Sequence, residues 1–287
     1  MKLCRSGWHA HVGPLLLHDE RGRAVSTHHA LADTDLDFGT RLAESPAFAR
    51  WVARNVQPHK VPGYTSVVLS TKPGLSAPPG DVTGQQMLAV ADWSERFGFG
   101  EIRIAHEQNI VLPDVQKSDL YELWRLACER NLGSANVGLL TDIIACPGGD
   151  FCALANAKSI PIAQGIQARF EDLDYLHDLG DISLNISGCM NACGHHHIGN
   201  IGILGVDKNG SEWYQITLGG AQGKHSALGK VIGPSFSATE VPQVIERIIG
   251  TFVRYRESEE SFVDTVARIG LEPFKERVYP KALEVSA

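Results

Sequence analysis

Apolar residues along the chain recur at helical spacing in some stretches and at strand spacing in others, and the switches between them mark its elements. The spacing from Ala47 to Val56 predicts a short helix, and Pro58, Pro62 and Gly63 stop it before the strand-like run Tyr64 to Leu69. Pro73 to Gly84, rich in Pro and Gly, is predicted as a loop. Beyond it Met87, Val90 and Ala91 fall on one side of a predicted helix, with Asp92, Glu95 and Arg96 on the other, and Gly98 and Gly100 end it. Ile102 and Ile104 alternate with Arg103 and Ala105, and Ile110 to Leu112 forms a second strand ahead of Pro113. Ser118 is predicted to cap a helix on which Leu120, Leu123, Trp124, Ala127 and Asn131 share helical spacing. Cys128 lies in the same apolar pattern and reads as a small buried core residue. Strand, helix, strand pair and helix in this order suggest a small α/β sandwich of ferredoxin-like type.

A second unit begins near Gly133. Asp181 to Ser187 alternates, with Ile182, Leu184 and Ile186 on one face, and runs straight into Cys189. Ile201 to Val206 and Trp213 to Leu218 flank Asn209-Gly210, a hairpin signal. Val241, Val244, Ile245, Ile248 and Phe252 define an amphipathic helix, and Phe262, Val266 and Ile269 a shorter one. The first 45 or so residues hold no sustained period and are left unassigned. The predicted fold class is α+β: a small ferredoxin-like α/β sandwich followed by a larger mixed α/β domain that carries the cysteine loops.

Composition supports a folded chain with room for two unequal units, since 43% of the 287 residues are hydrophobic and 21% charged. A formal net charge of −7 argues against a nucleic-acid surface, and it means that an anionic substrate needs locally placed basic groups. No apolar run is long enough for a membrane span, and Met1 to Pro14 carries His and Gly where a signal peptide would be apolar. Neither nucleic acid nor membrane is therefore expected as a partner, and a cytoplasmic location is. Six cysteines are too few for a disulfide scaffold, and four of them cluster, as metal-binding thiols do. Cys4 lies in an uninformative terminus.

The clustered four form Cys146-Pro-Gly-Gly-Asp-Phe-Cys152 and Cys189-Met-Asn-Ala-Cys193, a C-x5-C followed by a C-x3-C. Four thiolates suit tetrahedral zinc or an iron–sulfur cluster, so ligand type alone leaves both open. A C-x5-C loop wraps something wider than one ion, which favours a four-iron cluster. Gly148, Gly149, Gly188 and Gly194 let backbone come close, and amides near cluster sulfurs raise its potential.

The runs ACPGGDFCALANA (Ala145 to Ala157) and NISGCMNACG (Asn185 to Gly194) resemble the carboxyl-terminal half of the assimilatory sulfite and nitrite reductase haemoproteins. The likeness extends to Pro58 to Val68, Gly80 to Met87 and His106 to Asn109, and it is greatest to the bacterial sulfite reductase haemoprotein, or beta subunit. The resemblance implies that Cys146, Cys152, Cys189 and Cys193 bind a four-iron four-sulfur cluster. It implies that Cys193 also bridges to the iron of sirohaem and is the catalytic ligand, that Asn191 packs against the macrocycle, and that Gln108 and Asn109 face the cofactor cleft. The implied organisation is an unassigned segment at 1–45, a ferredoxin-like reductase repeat at 46–131, a sirohaem and cluster domain at 132–280 and a tail at 281–287. The implied activity is the six-electron reduction of sulfite to sulfide or nitrite to ammonia, with ferredoxin or an NADPH-flavoprotein as electron donor. Such chemistry calls for an electron store touching the metal that holds the substrate, which a shared thiolate provides. Complete family members are about twice this length, so a complementary amino-terminal half is expected to supply most of the Arg and Lys around the anion. The alternatives are a precorrin-3B synthase-like protein, and a cluster-binding electron-transfer chain or remnant without catalysis.

Other signals are weaker. His195-His196-His197 reads as a surface or cofactor-edge loop rather than a ligand set, because three consecutive side chains cannot converge on one ion without strain. Gly219 to Lys224 reads as a strand exit before it reads as a carboxylate cradle. Arg103 is expected to be solvated or paired. The cysteine loops contain no Arg or Lys, and Lys158 and Lys224 are the basic residues nearest by sequence.

Overall fold

A computed structural model describes the backbone at 17–18, 24–25, 31–74 and 77–279, and the side chains from 38 onward within those ranges, His225 excepted. Cys4 and the tail at 281–287 lie outside the described residues. Strand β1 (Leu17–His18) pairs antiparallel with β2 (Ala24–Val25), and α1 (Leu31–Glu44) follows where no element was predicted. Asp33, Asp35 and Asp37 interrupt the apolar period there, which hides the helix from a pattern reading. Two compact units emerge, Met1–Leu69 with Gly84–Ile104 and Ile110–Gly133, and Ser70–Thr83 with Ala105–Asn109 and Ser134–Ala287.

In the first unit α2 (Pro46–Asn55) starts where it does because the Ser45 side chain accepts the Phe48 amide and Pro46 occupies the first turn, where its missing N–H costs nothing. There follow β3 (Val56–Pro58), β4 (Tyr64–Leu69), α3 (Gly84–Phe97), β5 (Arg103–Ile104), β6 (Ile110–Gln116) and α4 (Leu120–Glu129). The sheet order is β3-β4-β6-β5, antiparallel throughout. With α3 joining β4 to β5, this is the expected ferredoxin-like sandwich. Phe48 and Trp51 of α2, Val67 and Leu69 of β4, and Leu120 and Leu123 of α4 are buried in its core.

Four local expectations need correction. The buried face of α3 is Val90, Trp93, Ser94 and Phe97, while Met87 is 60% exposed and Ala91 is exposed, because Trp93 and Phe97 outweigh the smaller apolar residues in choosing the inward side. Ser118 does not cap α4; it lies in the single turn Lys117–Asp119 that precedes the helix. Cys128 is exposed, since the buried stripe of α4 runs through Leu120, Leu123 and Ala127, and the next residue lies about 100° further round. Ile102 and Ile104, which alternate as one apolar face of a predicted strand, are both exposed, and the strand itself, β5, is only two residues long.

The second unit carries β7 (Ile144–Ala145), α5 (Ile160–Gln167), α6 (Leu173–Leu179), β8 (Leu184–Ser187), β9 (Ile201–Lys208), β10 (Ser211–Leu218), β11 (Lys230–Val231), β12 (Phe236–Ser237), α7 (Val241–Tyr255), α8 (Phe262–Ile269) and α9 (Glu272–Val278). The sheet runs β11-β10-β9-β8-β7, with β12 also on β10. β7, β8 and β9 are parallel, and β9 and β10 form the predicted hairpin through Asn209 and Gly210, both at positive φ. Its core joins Ile186, Ile203 and Ile216 of the sheet to Val244, Ile245, Ile248 and Phe252 of α7, and rings of Phe252 and Phe262 meet edge to face at 5.4 Å. Among the described residues no helix is long and apolar enough to cross a membrane.

These burial assignments predict a contrast in unfolding experiments. Phe252→Ala removes a fully buried ring and should cost about 3–5 kcal/mol. Met87→Ala should cost no more than about 0.5 kcal/mol. Comparable losses in denaturant or thermal unfolding would show that α3 buries the face its apolar pattern suggested.

Candidate metal centre

Parallel strands place their connections at opposite ends, so whatever follows β7 and whatever follows β8 leave the sheet on the same side. Cys146 is the first residue after β7, and Cys189 lies two residues after β8. The ladder continues one step past β7, where the Cys146 amide donates to Ile186 O at 3.1 Å. Beyond it the two cysteine loops are tied together at one atom. Gly188 O accepts the amides of Asn156 at 2.9 Å and Ala157 at 3.0 Å. A Cβ at Gly188 would lie 2.6 Å from Ala157 O and 2.8 Å from Gly148 Cα, so only glycine permits this approach.

The sulfur of Cys146 already has donors around it. Gly188 N donates to it at 3.1 Å, and Ser159 Oγ lies 3.4 Å away. Cys189 is buried, Cys146 and Cys152 are half-buried, and Cys193 is exposed. All four thiols are free, and among the described residues no three His, Cys, Asp or Glu side chains stand as a single-ion site. Four free thiols on two joined loops, with an amide and a hydroxyl aimed at one sulfur, form a donor set that fits a four-iron cluster.

The turn at Cys193 is fixed by β8 itself. Asn185 Nδ2 donates to Gly194 O at 2.9 Å, and Gly194 N donates to Ser187 Oγ at 3.1 Å. Both residues sit on the polar alternation of the strand, yet both are fully buried, because β8 has neighbours on either side and the turn folds over it. Their role escapes a reading that assigns alternate polar residues to solvent; a polar pair leading into a ligand loop is the signal that could have found them. On the other loop, Tyr214 OH donates to Lys158 O at 2.8 Å, and burial pushes that hydroxyl well above its usual pKa, with Glu212 adding to the effect. Lys158 itself faces Asp150 at 3.2 Å, so the basic residue nearest the cysteines is already paired.

Asn191 is exposed on the second loop. Gln108 and Asn109 sit elsewhere than a free cofactor-facing pair would. Gln108 Nε2 donates to Ala145 O at 2.9 Å and its Oε1 accepts from Ala145 N at 3.0 Å. Asn109 is buried with Lys72 and Asp142: its Nδ2 donates to Asp142 Oδ1 at 3.0 Å, and Lys72 Nζ donates to Asn109 Oδ1 at 3.0 Å and to Asp142 Oδ1 at 2.7 Å. Burial pulls the Lys72 amine below its usual pKa while Asp142 acts the other way. Neither Lys72 nor Asp142 carries any local signal of this role. Arg103 is paired with Glu101 at 2.6 Å, and Lys224 is exposed after β10.

Of the three consecutive histidines, His196 is buried and the other two are exposed. No hydrogen bond reaches its Nδ1, and burial lowers its pKa to about 4, with His197 adding to the effect.

Parallel strands whose cysteine loops are joined at Gly188 O, in a chain that also holds a ferredoxin-like unit, define an α+β protein with a candidate thiolate metal centre. Residues 138–285 match the family described as the nitrite and sulphite reductase 4Fe-4S domain, and residues 74–130 match the nitrite/sulfite reductase ferredoxin-like half domain. The chain belongs to this family. It is 32% identical over 205 residues to sulfite reductase [ferredoxin] 2 of Mycolicibacterium paratuberculosis, which covers 68% of this chain and 37% of the relative. It is 30% identical over 229 residues to the chloroplastic ferredoxin–nitrite reductase of Zea mays, covering 74% of this chain and 38% of the relative. The solved structure of the Mycobacterium tuberculosis NirA protein superposes with a TM-score of 0.64 at 28% identity over 77% of this chain and 41% of that one. A dissimilatory sulfite reductase I shares the fold, with a TM-score of 0.62 at 16% identity over 78% of this chain and 71% of that one. The chain thus spans less than half the length of the curated relatives it matches.

The buried imidazole of His196 makes a pH prediction. Its folded pKa of about 4 lies below the unfolded value near 6.5, so between these values the unfolded chain binds the proton first. Stability of the metal-free chain should be full above about pH 6.5 and fall as pH drops towards 4. His196→Gln should flatten that slope, and urea midpoints that decline equally in both proteins would exclude His196 as its source.

Proposed function

We propose that this chain is the cluster-bearing half of a sirohaem-dependent sulfite or nitrite reductase, in which Cys146, Cys152, Cys189 and Cys193 hold a 4Fe-4S cluster and Cys193 also ligates the sirohaem iron. The observation that carries the reading is the junction at Gly188 O, which joins the two cysteine loops, together with the gradient from buried Cys189 to exposed Cys193. A thiolate shared between a cluster and a second metal needs one open side, and Cys193 is the exposed thiol of the four. When bound, the two groups supply stepwise electrons and an open iron face for the anion. Cys193 provides the contact, Asn185 and Ser187 fix its turn, and exposed Asn191 lies within reach of a macrocycle seated there.

Phe151 and Met190 lie within the two cysteine loops and Leu154 two residues beyond Cys152, and they are 78%, 82% and 72% exposed. Large apolar side chains so exposed favour a covering surface. Relatives of which this chain covers only 37% and 38% favour the same reading, and we assign that cover to the bound macrocycle and a complementary amino-terminal half. The half would also bring the cations that sulfite or nitrite requires, since a chain of net charge −7 offers none in its cysteine loops. A ferredoxin-type donor suits the relatives named for it, with an NADPH-flavoprotein as the alternative. Reduced thiols suit a reducing compartment, and we place the chain in the cytoplasm. The reductase names of the relatives leave the ring-forming alternative without support.

With sirohaem and the complementary half supplied, Cys193→Ser should abolish anion reduction and the spectroscopic coupling of cluster to haem, whereas Cys128→Ser, at an exposed position of α4, should change neither. A Cys193→Ser protein that retained full coupling would place the bridge elsewhere. The 287-residue chain alone should reduce neither anion at rates typical of enzymes, about 1 per second or faster.

A further inference from the structure

We infer that the turn Ala105–Asn109 is the element that positions the cluster ligand Cys146, acting through the side chain of Gln108 on the backbone of Ala145. The inference rests on the cluster reading above and gives Gln108 and Asn109 a task other than contact with a cofactor.

β7 is the outer strand of its sheet, with β8 on one side. Along a strand successive backbone N–H and C=O groups point to opposite sides. Cys146 turns its amide towards β8, bonding Ile186 O, so Ala145 turns both its N–H and its C=O away from the sheet. Ala145 is buried, and backbone groups left unpaired there would lose their water without a replacement partner. The Gln108 carboxamide meets both, at 2.9 and 3.0 Å, and so takes the place of a neighbouring strand. Gln has the one carboxamide long enough to span the gap while offering a donor and an acceptor side by side.

The turn is held firmly enough to act as a reference point. Gln108 has φ +63, a left-handed region that is unfavourable for a non-glycine residue, and such strain persists only where the surroundings impose it. Thr71 Oγ1 donates to Gln108 O at 2.6 Å, and Lys72 Nζ donates to Glu107 O. Gly80 packs on the Gln108 side chain, where a Cβ would come within 3.3 Å. Asn109 then grips Asp142, four residues before Cys146, and Asp142 Oδ2 accepts Gly138 N at 2.9 Å. Two consecutive amide side chains therefore fix the approach to Cys146 at two points, Asp142 and Ala145. The same turn sets the His106 ring edge-on to His195 at 4.9 Å, two residues beyond Cys193.

The test uses the full chain in two forms. After anaerobic reconstitution with iron and sulfide, Gln108→Ala should release iron to a chelator about 10 to 100 times faster than wild type, as expected when a group that orients a ligand is removed. In the metal-free chain, hydrogen exchange at the Ala145 amide should accelerate by up to about tenfold, the equilibrium worth of one hydrogen bond, while amides in α7 stay protected. Gln108→Glu keeps the side-chain volume. A protonated carboxyl can both accept from Ala145 N and donate to Ala145 O, whereas a carboxylate sets a charged oxygen against Ala145 O, and that repulsion drives the side chain off both backbone groups. Protection relative to wild type at the same pH should therefore be restored at about pH 4 and lost at about pH 8, a pH profile that a volume-filling role would not produce. Unchanged Ala145 protection in both variants, or iron release at the wild-type rate, overturns the inference. Failure of the wild-type chain to take up iron would instead count against the four-cysteine reading, and the exchange data would still decide on the clamp.

Discussion

The carbonyl oxygen of Gly188 receives the amides of Asn156 and Ala157, and this junction turns two cysteine loops that are distant in sequence into one site. Everything else around the site serves it. The parallel pairing of β7 and β8 brings both loops out on one side of the sheet, and the absence of a Cβ at Gly188 lets the backbones touch. Side-chain bonds to backbone then fix the residues flanking the outermost ligands: Gln108 on Ala145 before Cys146, Asn185 and Ser187 on Gly194 after Cys193. If the four cysteines are the cluster ligands, as proposed, these bonds would orient them in the way that outer contacts of metal sites do.

Electrostatics and exposure divide the labour within the site. Amide and hydroxyl groups gather at the sulfur of half-buried Cys146, where hydrogen bonds stabilise added negative charge on a cluster. Cys193 is exposed, on a loop that carries the exposed Met190 and no Arg or Lys. Lys158, the basic residue closest by sequence, is committed to Asp150, and Lys72 is buried with Asp142. On the function proposed above, the chain would carry the electron-storing side of the chemistry, and a complementary half would bring the groups that hold an anion.

Much of this was legible in the sequence. Cysteine spacing and strand periodicity located both loops, the strand that feeds Cys189, the hairpin at Asn209-Gly210 and the amphipathic helix α7. What stayed hidden depended on partners that leave no local trace. Gln108 stood out only by resemblance, and the group it binds is backbone, which any residue at 145 would present. Lys72 and Asp142 lie 70 residues apart, so nothing near either one announces the pair. Asn185 and Ser187 went unmarked because strand alternation says nothing of what covers the second face. Cys128 looked buried because its neighbours are apolar, although the stripe of α4 that faces inward passes it by.

The most direct test of the central claim is the iron and acid-labile sulfide content of the chain after anaerobic reconstitution, measured for wild type and for Ser replacements of Cys146, Cys152, Cys189 and Cys193 one at a time. The account predicts about four irons and four sulfides per wild-type chain, as the 4Fe-4S domain family implies, with each replacement lowering both. One zinc or iron ion per chain without sulfide, or full cluster content in any of the four variants, would contradict it.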